Sequence, residues 1–295
     1  QVSALRRLQI QGAFLFGLGM QLGGGCASGT LFAAGGGSTR MVITLVFFVV
    51  GSVLGAYTFG WWSVLPALPP TSLVKSWGVS TALAVNLVVF AAIAWLTLVL
   101  EKRRHGHAVS TTTATNRAPS LLRGPWPLLW GGLALVLLNF ATLALAGRPW
   151  GITSAFALWG AKVLQALGTD VAGWPFFASQ KGALAAPVRF DVTSVQDIGI
   201  MVGALMAASA AGKFAPVWKI PARSLLASVV GGLLLGVGSR MAYGCNIGAY
   251  FSGIVSGSLH GWLWLPSAFV GSALGVHLRP LFGLSVEKTP APSSC

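Results

Sequence analysis

Two stretches of the sequence repeat each other: FLFGLGMQLGGGCASGTLF at 14–32 and LLLGVGSRMAYGCNIGAYF at 233–251. With Cys26 aligned to Cys245, both copies contain the pattern Gly-x-Gly-x5-Gly-Cys-x-x-Gly. Each copy is followed, with one inserted residue, by a segment that reads GS-x-LG. A match of this length and spacing predicts an internal duplication, which is frequent in membrane transporters.

The composition predicts that most of the chain lies in a membrane. The 295 residues are 55% hydrophobic and only 8% charged, whereas a soluble domain carries roughly 25% charged residues. The net charge of +14 is explained by basic loops facing anionic lipid, although an anion-carrying protein would also be basic. The three cysteines form no CxxC or Cys/His cluster, so neither a disulfide framework nor a metal site is expected.

The apolar segments divide into two kinds. Continuous segments predict membrane-spanning helices at about 40–60, 79–100, 125–146, 195–212 and 262–278. Shorter or glycine-interrupted segments predict re-entrant or broken helices at 9–35, 149–168 and 224–257. The predicted fold is an all-α polytopic membrane protein that is internally duplicated.

Basic loops predict the orientation and the division of the chain. The segments 101–124 and 213–223 are rich in Lys and Arg and are expected in the cytoplasm. The chain then divides into a first repeat at 1–100, a basic linker at 101–124, a second repeat at 125–279 and a tail at 280–295. The first repeat lacks a counterpart to the elements that open the second, so we expect it to be truncated at its N-terminus.

Each copy of the repeat places a cysteine where a helix is expected to begin after glycines. Glycine lets a ligand approach the backbone closely, and the free amides at a helix start favour an anion. A thiol in that field can hold or polarise an anionic sulfur compound. Close packing of helices would also explain the glycines, but it does not require a cysteine at the equivalent position of both copies. The pathway residues predicted from these motifs are Gly25, Cys26, Ser28, Gly29, Gly244, Cys245, Asn246 and Gly248.

Four further polar residues are singled out by their surroundings. Arg240 lies in an apolar stretch, where a charge is expensive and usually functional, so it can attract an anion; snorkelling to the interface is the alternative. Thr153 and Ser154 begin a predicted short helix, where their hydroxyls and the helix-start amides are available to an anion. The alternative is that these residues form an ordinary N-terminal helix cap. His260 is interpreted as an interfacial residue.

The acidic residues are predicted to lie in or beside loops, with no carboxylate in the middle of the membrane. A cation carrier or a carboxylate proton relay usually needs such a carboxylate. The sequence therefore favours an anion as cargo, without a metal or cofactor. The acidic residues are Glu101, Asp170, Asp191, Asp197 and Glu287.

Three motifs along the chain carry a family resemblance: GGGCASGTLF at 23–32, PWGITSAFALWGAK at 149–162 and GSRMAYGCNIGAYFSGIVSGSLHGW at 238–262. On these motifs the sequence resembles the YeeE/YedE family of sulfur-transport membrane proteins. It implies an hourglass with basic funnels on both faces and short helices that meet near the membrane centre. It also implies thiosulfate uptake, with the anion handed between thiols by S–H hydrogen bonds. A cysteine typical of the family, earlier in the chain, has no match here.

The leading prediction is a transporter, not an enzyme, for thiosulfate or a related small sulfur-containing anion in a bacterial inner membrane. The alternative is a membrane sulfur-relay or redox protein that forms a persulfide or disulfide on a cysteine. Neither Cys26 nor Cys245 has an adjacent base in sequence, which weakens the alternative. The family resemblance also implies a small cytoplasmic sulfurtransferase (TusA-like) as a partner, and no nucleic acid is expected.

Overall fold

The computed structural model describes residues 5–64, 66–106 and 127–285. Apart from an antiparallel pair of two-residue strands, β1 (Leu5–Arg6) and β2 (Ala67–Leu68), the regular structure of these residues is helical. Most of the predicted basic linker and the tail from residue 286, with Cys295, lie outside the described residues.

The helices of the described residues follow one another with few long connections. The α-helices are α1 (Arg7–Gly23), α2 (Ala27–Gly35), α3 (Thr39–Tyr57), α4 (Phe59–Ser63), α5 (Leu73–Trp77), α6 (Val79–His105), α7 (Leu128–Ala146), α8 (Thr153–Ala166), α9 (Lys181–Ala185), α10 (Val192–Ala210), α11 (Ala222–Met241), α12 (Ser252–Val255) and α13 (Leu259–Leu278). Short 3₁₀ turns occur at Pro175–Phe177, Val188–Phe190 and Arg279–Phe282, and a π-helix occupies Asn246–Phe251.

Helices long and apolar enough to cross a membrane make this an all-α polytopic membrane protein. Four of them confirm predicted spans, and the fifth lies where a broken segment was predicted from residue 224. There α11 runs without interruption to Met241, and the break follows it. The predicted span 262–278 lies in α13, which is not one of the five. The five segments are Thr39–Tyr57, Val79–Arg104, Leu129–Ala146, Val192–Ala210 and Ala222–Val255.

The two repeats pack through their glycines in a symmetric pattern. Helix α1 packs on α11 and α13, while α11 packs on α3. A Cβ placed on Gly51 would collide with the backbone of Leu233, and one placed on the equivalent Gly271 would collide with the backbone of Phe14, the repeat partner of Leu233. Only glycine lets helix backbones approach this closely. A duplicated unit would produce these matched contacts, and they support the duplication, which stays a prediction.

Candidate functional site

Cys245 is buried at the start of the π-helix. Its side chain is 1% exposed, and the backbone amides of Ile247 and Gly248 point at its thiol. The chain turns sharply just before it, with φ of 61° at Tyr243 and 144° at Gly244. The structure therefore shows a thiol in front of helix-start amides, in a π-helical turn of the kind often found at functional sites.

Cys26 occupies the equivalent place in front of α2. Its Sγ lies 3.3 Å from Ser28 Oγ, and its carbonyl oxygen accepts a hydrogen bond from Thr30 Oγ1 at 2.8 Å. The partly buried Cys26 side chain packs against the same core cluster that contains Cys245. The fold therefore brings the two predicted cysteines into one region.

The turns before the two cysteines are also alike. Gly24, the repeat partner of Tyr243, has φ of 95°. Glycine adopts this conformation freely, but a residue with a Cβ does so at a cost of roughly 1–2 kcal/mol. Tyr243 is therefore a strained residue, and strain of this kind is held where the surrounding structure requires a particular backbone path.

A cavity of about 700 Å³ lies beside Cys245, and we call it the Arg240 cavity. Gly244 and Gly248, which flank Cys245, are part of its wall. The lining contains two arginines and no carboxylate among its described residues, so the cavity is basic. The predicted site residues that line it are Thr153, Ser154, Arg240, Gly244 and Gly248.

Two arginines shape this cavity. The Arg240 guanidinium lies over the Phe176 ring, 5.7 Å from its centroid, and Arg240 Nε donates to Ser239 Oγ at 3.4 Å. Arg148 donates to Thr193 Oγ1, which also accepts from Ser154 Oγ at 3.2 Å. Both guanidiniums keep further N–H donors for an anion, because Arg carries five.

A second basic cavity, of about 1150 Å³, lies at the other end of α3, and we call it the Arg40 cavity. Arg40 is in the first turn of α3, and Lys213 and Lys219 are also part of the wall. Helix α3 has 19 residues and is therefore roughly 28 Å long at 1.5 Å per residue, close to the thickness of a bilayer core. Helix α2 runs from Cys26 towards this cavity, where Phe32 lines it.

The thiols thus lie between two cavities that carry cations. The remaining predicted residues, Gly25, Ser28, Gly29 and Asn246, lie beside the cysteines rather than in either cavity wall. Asn246 Oδ1 is buried without a hydrogen-bond partner among the described residues.

Two expectations from the sequence were wrong. Asp197, expected in or beside a loop, lies in the second turn of α10 with 0% exposure, because its face of the helix packs against the rest of the fold. His260, expected at the interface, is also 0% exposed, with Nδ1 2.6 Å from Ser258 Oγ.

Sequence reasoning also missed three residues near the site. Arg148 and Tyr243 line the Arg240 cavity, and the Trp150 indole N–H is buried without a partner among the described residues. All three lie in or beside the motifs that identified the site, so their position was the available signal. Their roles depend on contacts with distant parts of the chain, such as Thr193 for Arg148.

These features define a polytopic membrane protein with two thiols between basic cavities, the architecture of an anion transporter. The chain belongs to the sulphur transport family, whose profile matches residues 2–274, and the family resemblance seen in the sequence is thereby confirmed.

Named relatives of the chain are transporters. It is 29% identical over 266 residues to the thiosulfate transporter TsuA of Spirochaeta thermophila, covering 86% of this chain and 72% of the relative. It is 29% identical over 295 residues to the thiosulfate transporter TsuA of Escherichia coli, covering 91% and 74%. The probable transporter YedE of Escherichia coli is 27% identical over 164 residues, covering 55% and 40%.

Proposed function

We propose that this protein is a bacterial inner-membrane transporter that moves thiosulfate, or a closely related sulfur-containing anion, past the thiols of Cys26 and Cys245. The observation that carries the proposal is the placement of both thiols in one core region between the Arg240 and Arg40 cavities. The relatives named as thiosulfate transporters support the choice of anion.

The residues suggest how the anion would pass. Arg240 and Arg148 would attract its charge, and the hydroxyls of Thr153 and Ser154 would hydrogen-bond its oxygens. The Cys245 thiol, with two amides pointing at it, would then donate a weak S–H hydrogen bond to the terminal sulfur. Several weak contacts in series allow release as well as entry.

The sulfur-relay alternative receives less support. A relay thiol is normally activated by an adjacent base, and neither Cys26 nor Cys245 has one beside it in sequence. The named relatives are transporters. A small cytoplasmic sulfurtransferase (TusA-like) fits this proposal as a consumer of the anion at the Arg40 cavity, if the Lys-rich segment 213–223 faces the cytoplasm as predicted.

Uptake of labelled thiosulfate tests the proposal directly. We expect proteoliposomes containing the wild-type protein to take up thiosulfate in a saturable way, and unlabelled thiosulfate to compete better than sulfate, which lacks a terminal sulfur. Empty liposomes supply the background. Wild-type uptake no higher than this background would reject thiosulfate as the cargo, and equal competition by sulfate would reject recognition through sulfur.

Replacing Arg240 with Gln is expected to weaken anion binding. A hydrogen bond to a charged group contributes about 1.5–3 kcal/mol, so the thiosulfate concentration for half-maximal uptake should rise roughly ten- to a hundredfold. Arg240→Lys should lie between Arg240→Gln and wild type, because it keeps the charge but not the planar fork. The exposed Arg189 supplies the control, since Arg189→Gln makes the same charge change away from the cavity. If Arg240→Gln reaches half-maximal uptake at the same thiosulfate concentration as the wild type, Arg240 is not part of the pathway.

A further inference from the structure

Asp197 is a buried acid within a membrane-spanning helix. It lies in the second turn of α10, inside the span Val192–Ala210, and its side chain is 0% exposed. Neither carboxylate oxygen has a hydrogen-bond partner among the described residues. Ionised acids in such places are normally paired, because an unpaired buried charge is costly, and acids within membrane helices are usually functional.

The positively charged side chains near α10 contact groups other than Asp197. The elements that pack most closely on α10 are α2, α8 and the 3₁₀ turn Val188–Phe190. Helix α2 carries no charged residue, and the Arg189 guanidinium in the turn lies over the Phe190 ring. Lys162 of α8 donates to two backbone carbonyl oxygens, those of residues 184 and 186. Arg148 donates to Thr193.

The other acid at this end of α10 is bound to the helix itself. Asp191 caps the start of α10, where its carboxylate accepts hydrogen bonds from the amide and hydroxyl of Ser194. With both Asp197 oxygens buried and no cation bound to them among the described residues, the site suits a neutral, protonated carboxyl group.

Asp197 also lies beside the predicted route of the anion. Thr193, one turn earlier on the same helix face, is bonded to Ser154 in the wall of the Arg240 cavity. Met201, one turn later, abuts Gly35 of α2. Residues four apart share a helix face, so Asp197 lies between the Arg240 cavity and the helix that begins at Cys26.

We propose that Asp197 binds a proton that moves inward with the anion, so that the transporter is an anion–proton symporter. This proposal rests on the proposed function. An ionised Asp197 would repel a dianion nearby, so Asp197 is protonated from the outer side before the anion enters and stays protonated while the anion passes. It releases that proton on the cytoplasmic side after the anion leaves. The proton cancels part of the negative charge that would otherwise move against an inside-negative membrane potential.

Thiosulfate accumulation under an imposed pH gradient tests the coupling. In proteoliposomes with an acidic exterior, the accumulation ratio of the wild-type protein should rise about tenfold per pH unit for each coupled proton. Asp197→Asn mimics the neutral carboxyl group, so it should equilibrate thiosulfate without responding to the gradient. Asp170→Asn, which makes the same substitution at an exposed residue, should keep the wild-type response. A gradient response in Asp197→Asn, or none in the wild type, overturns the proposal.

Infrared spectroscopy of the purified protein tests whether the Asp197 carboxyl group is protonated, and it does so without a transport measurement. The wild-type protein at neutral pH should show the C=O stretch of a protonated carboxyl group, and Asp197→Asn should lack it. If Asp197→Asn does not fold, Asp197→Glu serves instead, since it should retain a shifted band and the gradient response. Absence of the wild-type band overturns the proton site, whereas a band without thiosulfate uptake overturns only the choice of anion.

Discussion

Replacing Cys245 with Ala is expected to lower thiosulfate uptake roughly two- to tenfold, because the thiol is a weak donor and an ordinary hydrogen bond contributes about 0.5–1.5 kcal/mol. Cys26→Ala should act in the same direction, since the fold places both thiols against one core. The measurement is the initial rate of labelled uptake at matched amounts of folded protein. Cys245→Ser should retain part of the rate, because the serine hydroxyl remains a donor.

A matched control separates the thiol from the general effect of trimming a buried side chain. Ser228 is fully buried in α11, the helix that leads to Cys245, and its Oγ donates only to the carbonyl of Ser224 in the same helix. Ser228→Ala should therefore keep wild-type uptake. If the cysteine variants transport like the wild type, both motifs serve helix packing rather than transport. A covalent mass gain on either cysteine during turnover would favour the sulfur relay.

The sequence was sufficient for the features that depend on local backbone chemistry. Glycines followed by cysteine predicted a break and a helix start at Cys26 and Cys245, and the structure has both. Thr153 and Ser154 were predicted from the start of a short helix, and they line the same cavity as Arg240. These predictions needed only the residues within a turn or two of each position.

The sequence was insufficient where a residue's role depends on distant packing. Asp197 follows a helix start, and its neighbours along the chain do not show that its face of α10 is covered by α2. His260 likewise precedes Trp262, which suggested an interface, but its side chain lies in the core beside Gly253. The break predicted within 224–257 lies after Met241, and the sequence does not show that the glycines of α11 before it are the points at which α11 meets α1 and α3.

Those glycine contacts predict that Gly236→Val severely disrupts folding. A Cβ at Gly236 would overlap the backbone of Gly51 and Ser52 in α3. Overpacking a core usually costs about 1–3 kcal/mol because side chains can move aside. Here the obstacle is backbone, so α11 and α3 would have to separate along their whole contact. We expect little or no folded Gly236→Val protein, measured as the monodisperse fraction after detergent extraction.

Gly199 provides the control for this prediction, because it also lies within a membrane-spanning helix, α10. It is exposed, and no heavy atom lies within 4 Å of a Cβ built there. Gly199→Val should therefore give the wild-type amount of folded protein. The symmetric packing adds a second expectation: Gly17, the repeat partner of Gly236, abuts the backbone of Ala268 in α13, so Gly17→Val should be as disruptive. A wild-type yield for Gly236→Val would mean that α11 and α3 are not held together through this contact.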